Sequence, residues 1–160
     1  MRNLGIAALA ATLCGCASVD HQTASGKVEV TINAPPEAVK ASIVNAMVNQ
    51  RYRISKDTAF ELAFDKPTDN LLAAAFLGSR YDSTPNTRIS YFLAPTPPSV
   101  RVVADFAIIT NPGSSFERRT DLNRSEDTAQ VQALLDDVKA QTEQRVAPAP
   151  PASRPKKPNT

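Results

Sequence analysis

The chain has 160 residues, 42% hydrophobic and 21% charged, which suits one folded domain with extensions. Eighteen basic residues stand against sixteen acidic ones, and no basic run occurs before the last seven positions, so the electrostatic footprint of a nucleic-acid binder is missing. No apolar stretch approaches the roughly 18 residues that a membrane-spanning helix needs.

The chain opens with Arg2 and then Leu4 to Leu13 (LGIAALAATL), a run without charge, followed by Cys14, Gly15 and Cys16. A basic start, an apolar stretch and small residues at its end make an export signal, expected over residues 1–15. As a helix the run reaches about 15 Å, half of a hydrocarbon core of about 30 Å, so it engages a translocon and is then removed. Leu13, Cys14, Gly15 and Cys16 resemble the bacterial lipobox, in which a Leu three positions before the invariant Cys and a small residue just before it admit lipoprotein signal peptidase. The resemblance implies that Cys16 becomes the lipidated first residue of the mature chain, although Cys14 stands where Ala, Ser, Thr or Val is usual. The alternative is ordinary signal peptidase cutting after Ala17, with Gly15 and Ala17 as its small residues. In the lipoprotein family an Asp directly after the lipidated Cys marks inner-membrane retention; Ala17 and Ser18 follow here, which implies the periplasmic side of an outer membrane.

Cys14 and Cys16 are the only cysteines, so a lipidated Cys16 leaves no disulfide and the body must stand on its hydrophobic core. Each buried methylene of an acyl chain adds about 0.8 kcal/mol, so two or three chains on Cys16 anchor the protein without further membrane-binding surface. Residues 16–26 read as lipid anchor and short polar tether, with His21, the sole histidine, as a solvated linker residue. A single domain is expected over 27–146. Residues 147–160, rich in Pro and Lys, read as a disordered tail. Counting Arg2 with the signal and Arg154, Lys156 and Lys157 with the tail leaves 14 basic against 16 acidic residues in the body. The tail is therefore either a basic arm for anionic headgroups, wall polymer or an acidic partner, or a solubilising end.

Within the body, Lys27 to Asn33 alternates Val28, Val30 and Ile32 with polar residues, a strand with one wet face. Pro35 and Pro36 place a helix cap and a first helical residue, and the helix runs to about Asn49 with Val39, Ile43, Ala46, Met47 and Gln50 on one face. Arg51 to Ser55 and Thr58 to Asp65 flank Lys56 and Asp57 as a hairpin, with Phe60, Leu62 and Phe64 inward. Thr87 to Leu93 and Val100 to Thr110 form a second hairpin around Pro95, Pro97 and Pro98. Ser115 to Asp121 is an edge strand with Phe116 and Leu122 inward; Ser125 then caps a helix from Glu126 to about Arg145, buried through Val131, Leu134, Leu135, Val138 and Gln141 or Thr142.

That order predicts a two-layer α+β fold: an antiparallel sheet of about five to six strands with two long helices and one short helix on one face. It resembles the helix-grip or TATA-binding-protein-like domains of several bacterial envelope lipoproteins, the BamC assembly-factor family among them. The resemblance rests on VEVTINAPPEAV at the first helix, the hairpin after it and the closing amphipathic helix. No family site motif matches, so no functional residue is carried over.

The catalytic inventory is short. With one histidine, in the tether, a Ser/His/Asp triad, a cysteine nucleophile and a histidine-rich metal site all lack parts, and only five glycines argue against a phosphate loop. We expect no enzyme, no cofactor and no metal. Asp136 with Asp137, and Glu126 with Asp127, read as solvated helix acids; Arg118 and Arg119 beside Glu117 and Asp121 either bind an anion or guard a sheet edge. Leu71 to Leu77 is a run of seven apolar residues within the long connection between the hairpins, predicted as a short helix capped by Asp69 or Asn70 and stopped by Gly78. Either it packs as a third helix, or it is a lid or docking patch built from Leu71, Leu72, Phe76 and Leu77 with Tyr81 and Tyr91 at the rim. The expected function is a lipid-anchored, non-catalytic module that docks onto envelope proteins. The alternative is a carrier or sensor of an apolar ligand in a helix-grip cavity, and a carboxylate hydrolase stands third.

Overall fold

Alternation of apolar and polar residues builds one sheet whose inner face two helices cover. The computed structural model describes residues 19–68 and 84–147. Its elements are β1 (Glu29–Ile32), α1 (Pro36–Asn49), β2 (Arg53–Asp57), β3 (Glu61–Pro67), β4 (Asn86–Thr96), β5 (Ser99–Thr110), β6 (Arg118–Asp121) and α2 (Thr128–Val146). All strand pairs are antiparallel, in the order β2, β3, β4, β5, and both β1 and β6 pair with the remaining edge of β5. The architecture is the expected two-layer α+β fold with an antiparallel sheet. The predicted short helix lies outside the described residues.

The core follows from two periodicities meeting. Ile32, Leu62, Phe64, Ile89, Tyr91, Val100, Val102 and Ala104 point inward at period two, and Val39, Ile43 and Met47 of α1 with Val131, Leu135 and Val138 of α2 meet them at helical spacing. Thr142, not Gln141, completes the buried stripe of α2, its hydroxyl donating to the Val138 carbonyl (2.6 Å). Pro35 caps α1 in an extended conformation and Pro36 opens it, where the missing N–H has no helical acceptor to lose.

Several boundaries differ from expectation, each for a local reason. Lys56 and Asp57 do not turn the first hairpin: they pair with Ala63 and Leu62 after an irregularity at Ser55, and Thr58 closes the turn through its hydroxyl and backbone on Glu61. Phe60 therefore falls in the turn and is 65% exposed, not inward. Phe116, also expected inward, lies in the turn before β6 and is 78% exposed, whereas Leu122 does pack against the core. Pro95 is a strand residue opposite Val100, not part of the connection. The Leu93 N–H bonds to the Phe60 carbonyl, so the corresponding group at Pro95 would point beyond the end of β3, where no N–H is needed. Ser125 caps a turn ahead of α2, accepting the Asp127 N–H (3.1 Å), and the helix proper begins at Thr128.

The stretch expected to be a tether is largely part of the body. The Val19 N–H bonds to the Arg124 carbonyl (3.0 Å), His21 Nε2 lies 3.1 Å from the hydroxyl of buried Thr128, and Thr23 donates to the Lys27 carbonyl (2.6 Å). His21 is thus half-buried against α2 and not a solvated linker residue. Polarity marked residues 17–26 as linker, but short hydroxyl and imidazole side chains serve equally well to satisfy backbone and helix-end groups at close range.

Candidate functional site

Cys16 and the apolar set Leu71, Leu72, Phe76, Leu77 and Tyr81 lie outside the described residues. Tyr91 is described, and its place corrects the expectation of a half-buried rim: it is fully buried. Register explains this. Tyr91 pairs with Leu62 on β3 and Ala104 on β5, all on the helix side of the sheet, and its ring meets Phe64 edge-on at 6.0 Å. Its hydroxyl donates to the Met47 sulfur (3.3 Å), and burial pushes the phenol well above its ordinary range.

The opposite face of the sheet carries the charged groups. At one margin of the sheet β1 and β6 lie end to end along the same edge of β5, pairing with Val100–Val103 and with Ala107–Thr110 respectively. Asp105 faces the gap between them and is 5% exposed. Its carboxylate accepts from Lys27 (2.5 Å), from Asn123 Nδ2 (2.7 Å) and from Arg119. Asn123 meanwhile offers its carbonyl to the Phe106 N–H (2.9 Å), standing in for the strand that is missing there. A cluster of one buried acid, two cations and an amide thus staples the two half-strands into one edge. Sequence reasoning missed it, yet a signal existed: Asp105 interrupts the apolar run of β5, and a buried carboxylate must find partners.

Two further pairs tie the same face. Arg88 on β4 grips both oxygens of Asp65 on β3 (2.7 Å each) and reaches Glu117 (3.1 Å) in the β5–β6 connection. Arg101 binds Glu29 (2.7 Å), which also accepts from Ser25 (2.5 Å). Arg119 is committed to Asp105, and both Arg118 and Arg119 sit on the edge strand β6. Asp136, Asp137, Glu126 and Asp127 are exposed on or beside α2. Among the described residues no three His, Cys, Asp or Glu side chains gather as metal ligands do.

The Asp105 and Glu29 carboxyls both sit below their ordinary values. Burial alone would raise that of Asp105, but Lys27, Asn123 and Arg119 together outweigh it; the hydrogen bond from Arg101, followed by that from Ser25, lowers Glu29. A carboxyl whose folded value is lowered contributes stability that is complete above the unfolded value and disappears as pH falls through the folded one. The urea midpoint is therefore expected to hold steady from about pH 7 to about pH 5 and to fall below about pH 4, less steeply in Asp105→Asn than in the parent. Equal acid sensitivity of the two would remove Asp105 from this account.

A cleft of ≈ 330 Å³ opens beyond the C-terminal end of α1, floored by Ile89, Tyr91 and Phe106 and flanked by Val131 and Leu134 of α2. Thr68 and Pro85 stand at this end, joined by a backbone hydrogen bond from the Thr68 N–H to the Pro85 carbonyl (2.9 Å). The cleft is half open and of mixed polarity. Between α1 and the sheet, Met47, Phe64 and Tyr91 fill the space. No protein-family model and no curated protein matches the chain.

Proposed function

We propose that this protein is a lipid-anchored, non-catalytic module of the bacterial envelope that works by holding protein partners at the periplasmic face of a membrane, the outer membrane in preference to the inner. The observation that carries this reading over the ligand-carrier one is the packing under α1, where Tyr91, Phe64 and Met47 take the volume that an apolar ligand would need, while the cleft beside α2 is open and of mixed polarity. Lys27, Arg88, Arg101 and Arg119 of the open sheet face are engaged with acids of the same face, as suits a rigid platform better than a reacting centre. The export signal and the lipobox-like Leu13–Cys16 supply the anchor.

Mass spectrometry of the mature N-terminus and fractionation of cells carrying Cys16→Ser behind an ordinary cleavable signal in place of residues 1–15 test the anchor together. Acylated Cys16 is expected, with the parent in the membrane fraction and at least tenfold less of the variant there. An unmodified Cys16, or a variant that stays with the membrane, would overturn the reading. Native mass spectrometry of Cys16→Ser is expected to show the bare polypeptide mass; a stoichiometric small molecule would favour the carrier instead.

A further inference from the structure

An ordinary lipoprotein tether is a length of polar chain that lets the body roam. Between Cys16 and Lys27 the chain could span about 40 Å if extended. Here the allowance is far smaller, because the fold takes up the chain from Val19 onward. The Val19 N–H is bonded to the Arg124 carbonyl, His21 to Thr128, Thr23 to the Lys27 carbonyl, and Ser25 through N–H and hydroxyl to Glu29. Gly26, with φ of 64°, makes the turn that carries the segment into β1, a backbone conformation that other residues adopt at a cost. These contacts distribute over α2, the connection before it and β1, so the segment is held along its length.

We infer that a lipidated Cys16 holds the domain close against the bilayer by its Arg124 end, with only Ala17 and Ser18 between the acylated residue and Val19, the first described residue, which is bonded to the body. This rests on the lipid-anchor reading above and deepens it. Three Cα steps separate Cys16 from Val19, a reach of about 11 Å at most. Arg124, whose side chain is 79% exposed and lies 4.0 Å from the similarly open Asp20 carboxylate, is thereby placed at headgroup level. The helix α2 starts beside this point and runs away from it: Thr128 touches His21, and Glu143 near its other end accepts the Asn33 N–H (2.8 Å) beside the β4–β5 turn. Nineteen residues of helix make about 28 Å, so the β4–β5 turn and the point where residues 148–160 attach stand well apart from the anchoring end. The bilayer then meets one end of the body, and the basic residues Arg154, Lys156 and Lys157 are attached at the other.

The test places single reporter thiols on acylated protein, Arg124→Cys at the near end and Thr96→Cys at the β4–β5 turn, each labelled with a fluorophore. The protein is reconstituted into phosphatidylethanolamine–phosphatidylglycerol vesicles with quencher attached to a fraction of the headgroups. Quenching at position 124 is expected to exceed that at position 96 at least threefold. Inserting twelve Gly/Ser residues between Ser18 and Val19 should at least halve the signal at position 124 without changing the fold. Equal quenching at the two positions, or no response to the insertion, would overturn the inference. Failure of the anchor itself would look different: no acyl mass on Cys16 and no vesicle binding by any of the variants.

Discussion

Truncating Tyr91 to alanine is expected to lower the unfolding free energy by about 3–5 kcal/mol, a large part of the roughly 5–15 kcal/mol that a domain of this size possesses. The ring is fully buried between β4 and α1, packs edge-on to Phe64 and is flanked along the sheet by Leu62 and Ala104. The neighbours are strands and a helix held by their own ladders, so they cannot collapse into the space left behind, and the cavity cost adds to the lost transfer energy. Tyr91→Phe separates packing from polarity. It removes only the hydroxyl that donates to the Met47 sulfur, a weak acceptor, and is expected to cost less than about 1 kcal/mol. Urea titration of both variants, with unchanged slope and shifted midpoint, is the measurement. If Tyr91→Phe lost as much as Tyr91→Ala, the hydroxyl and not the ring would be holding α1 to the sheet.

Asn123→Ala is expected to cost about 2–3 kcal/mol although Asn123 belongs to no strand or helix. Its side chain does two jobs at the junction of β1 and β6: the carbonyl accepts the Phe106 N–H of β5, and the amide donates to Asp105 and Asp121. Removal leaves a buried N–H without its acceptor and the Asp105 carboxylate with one donor fewer. Asn123→Asp discriminates this account from simple loss of volume. It keeps the shape and the acceptor but turns the donor into a third carboxylate beside those of Asp105 and Asp121, so near neutral pH it should be at least as unstable as Asn123→Ala, and it should recover part of the loss as pH is lowered towards about 4. An Asn123→Asp variant as stable as the parent near neutrality would mean that the amide proton carries nothing.

Both results would come from parts of the molecule with different visibility in the sequence. The two long helices and the six strands follow from rules that act over a few residues. Pro35 and Pro36 open α1 because the second proline forbids helical backbone before it and fits the first helical turn. Alternation in Val100 to Ile108 reads as a strand because a pleated chain turns every second side chain the same way. The same rules mislead where a strand outlasts its turn signal. Lys56 and Asp57 look like a turn, yet one irregular residue at Ser55 lets them pair with β3, and the turn moves to Thr58–Phe60, carrying Phe60 into solvent.

The sheet edge was beyond local reading altogether. That β1 and β6, separated by most of the domain, lie end to end beside β5 is a matter of topology, and it alone turns Asp105, Asn123, Lys27 and Arg119 into one cluster. The inward place of Tyr91 was half legible. Its parity with Ile89 and Leu93 marks the buried face, but an amphipathic side chain suits a rim as well as a core, and only the helix lying over it decides. Local chemistry thus determined, from the sequence alone, the α+β layout, the order of the elements and the apolar face of each helix. Tertiary structure decided which polar residues became interior partners and how far the polar stretch after Ser18 folds back onto the body. The reason is the same in each case: backbone periodicity acts between neighbours in the chain, whereas burial of a charge or an imidazole depends on which distant strand or helix end comes to lie beside it.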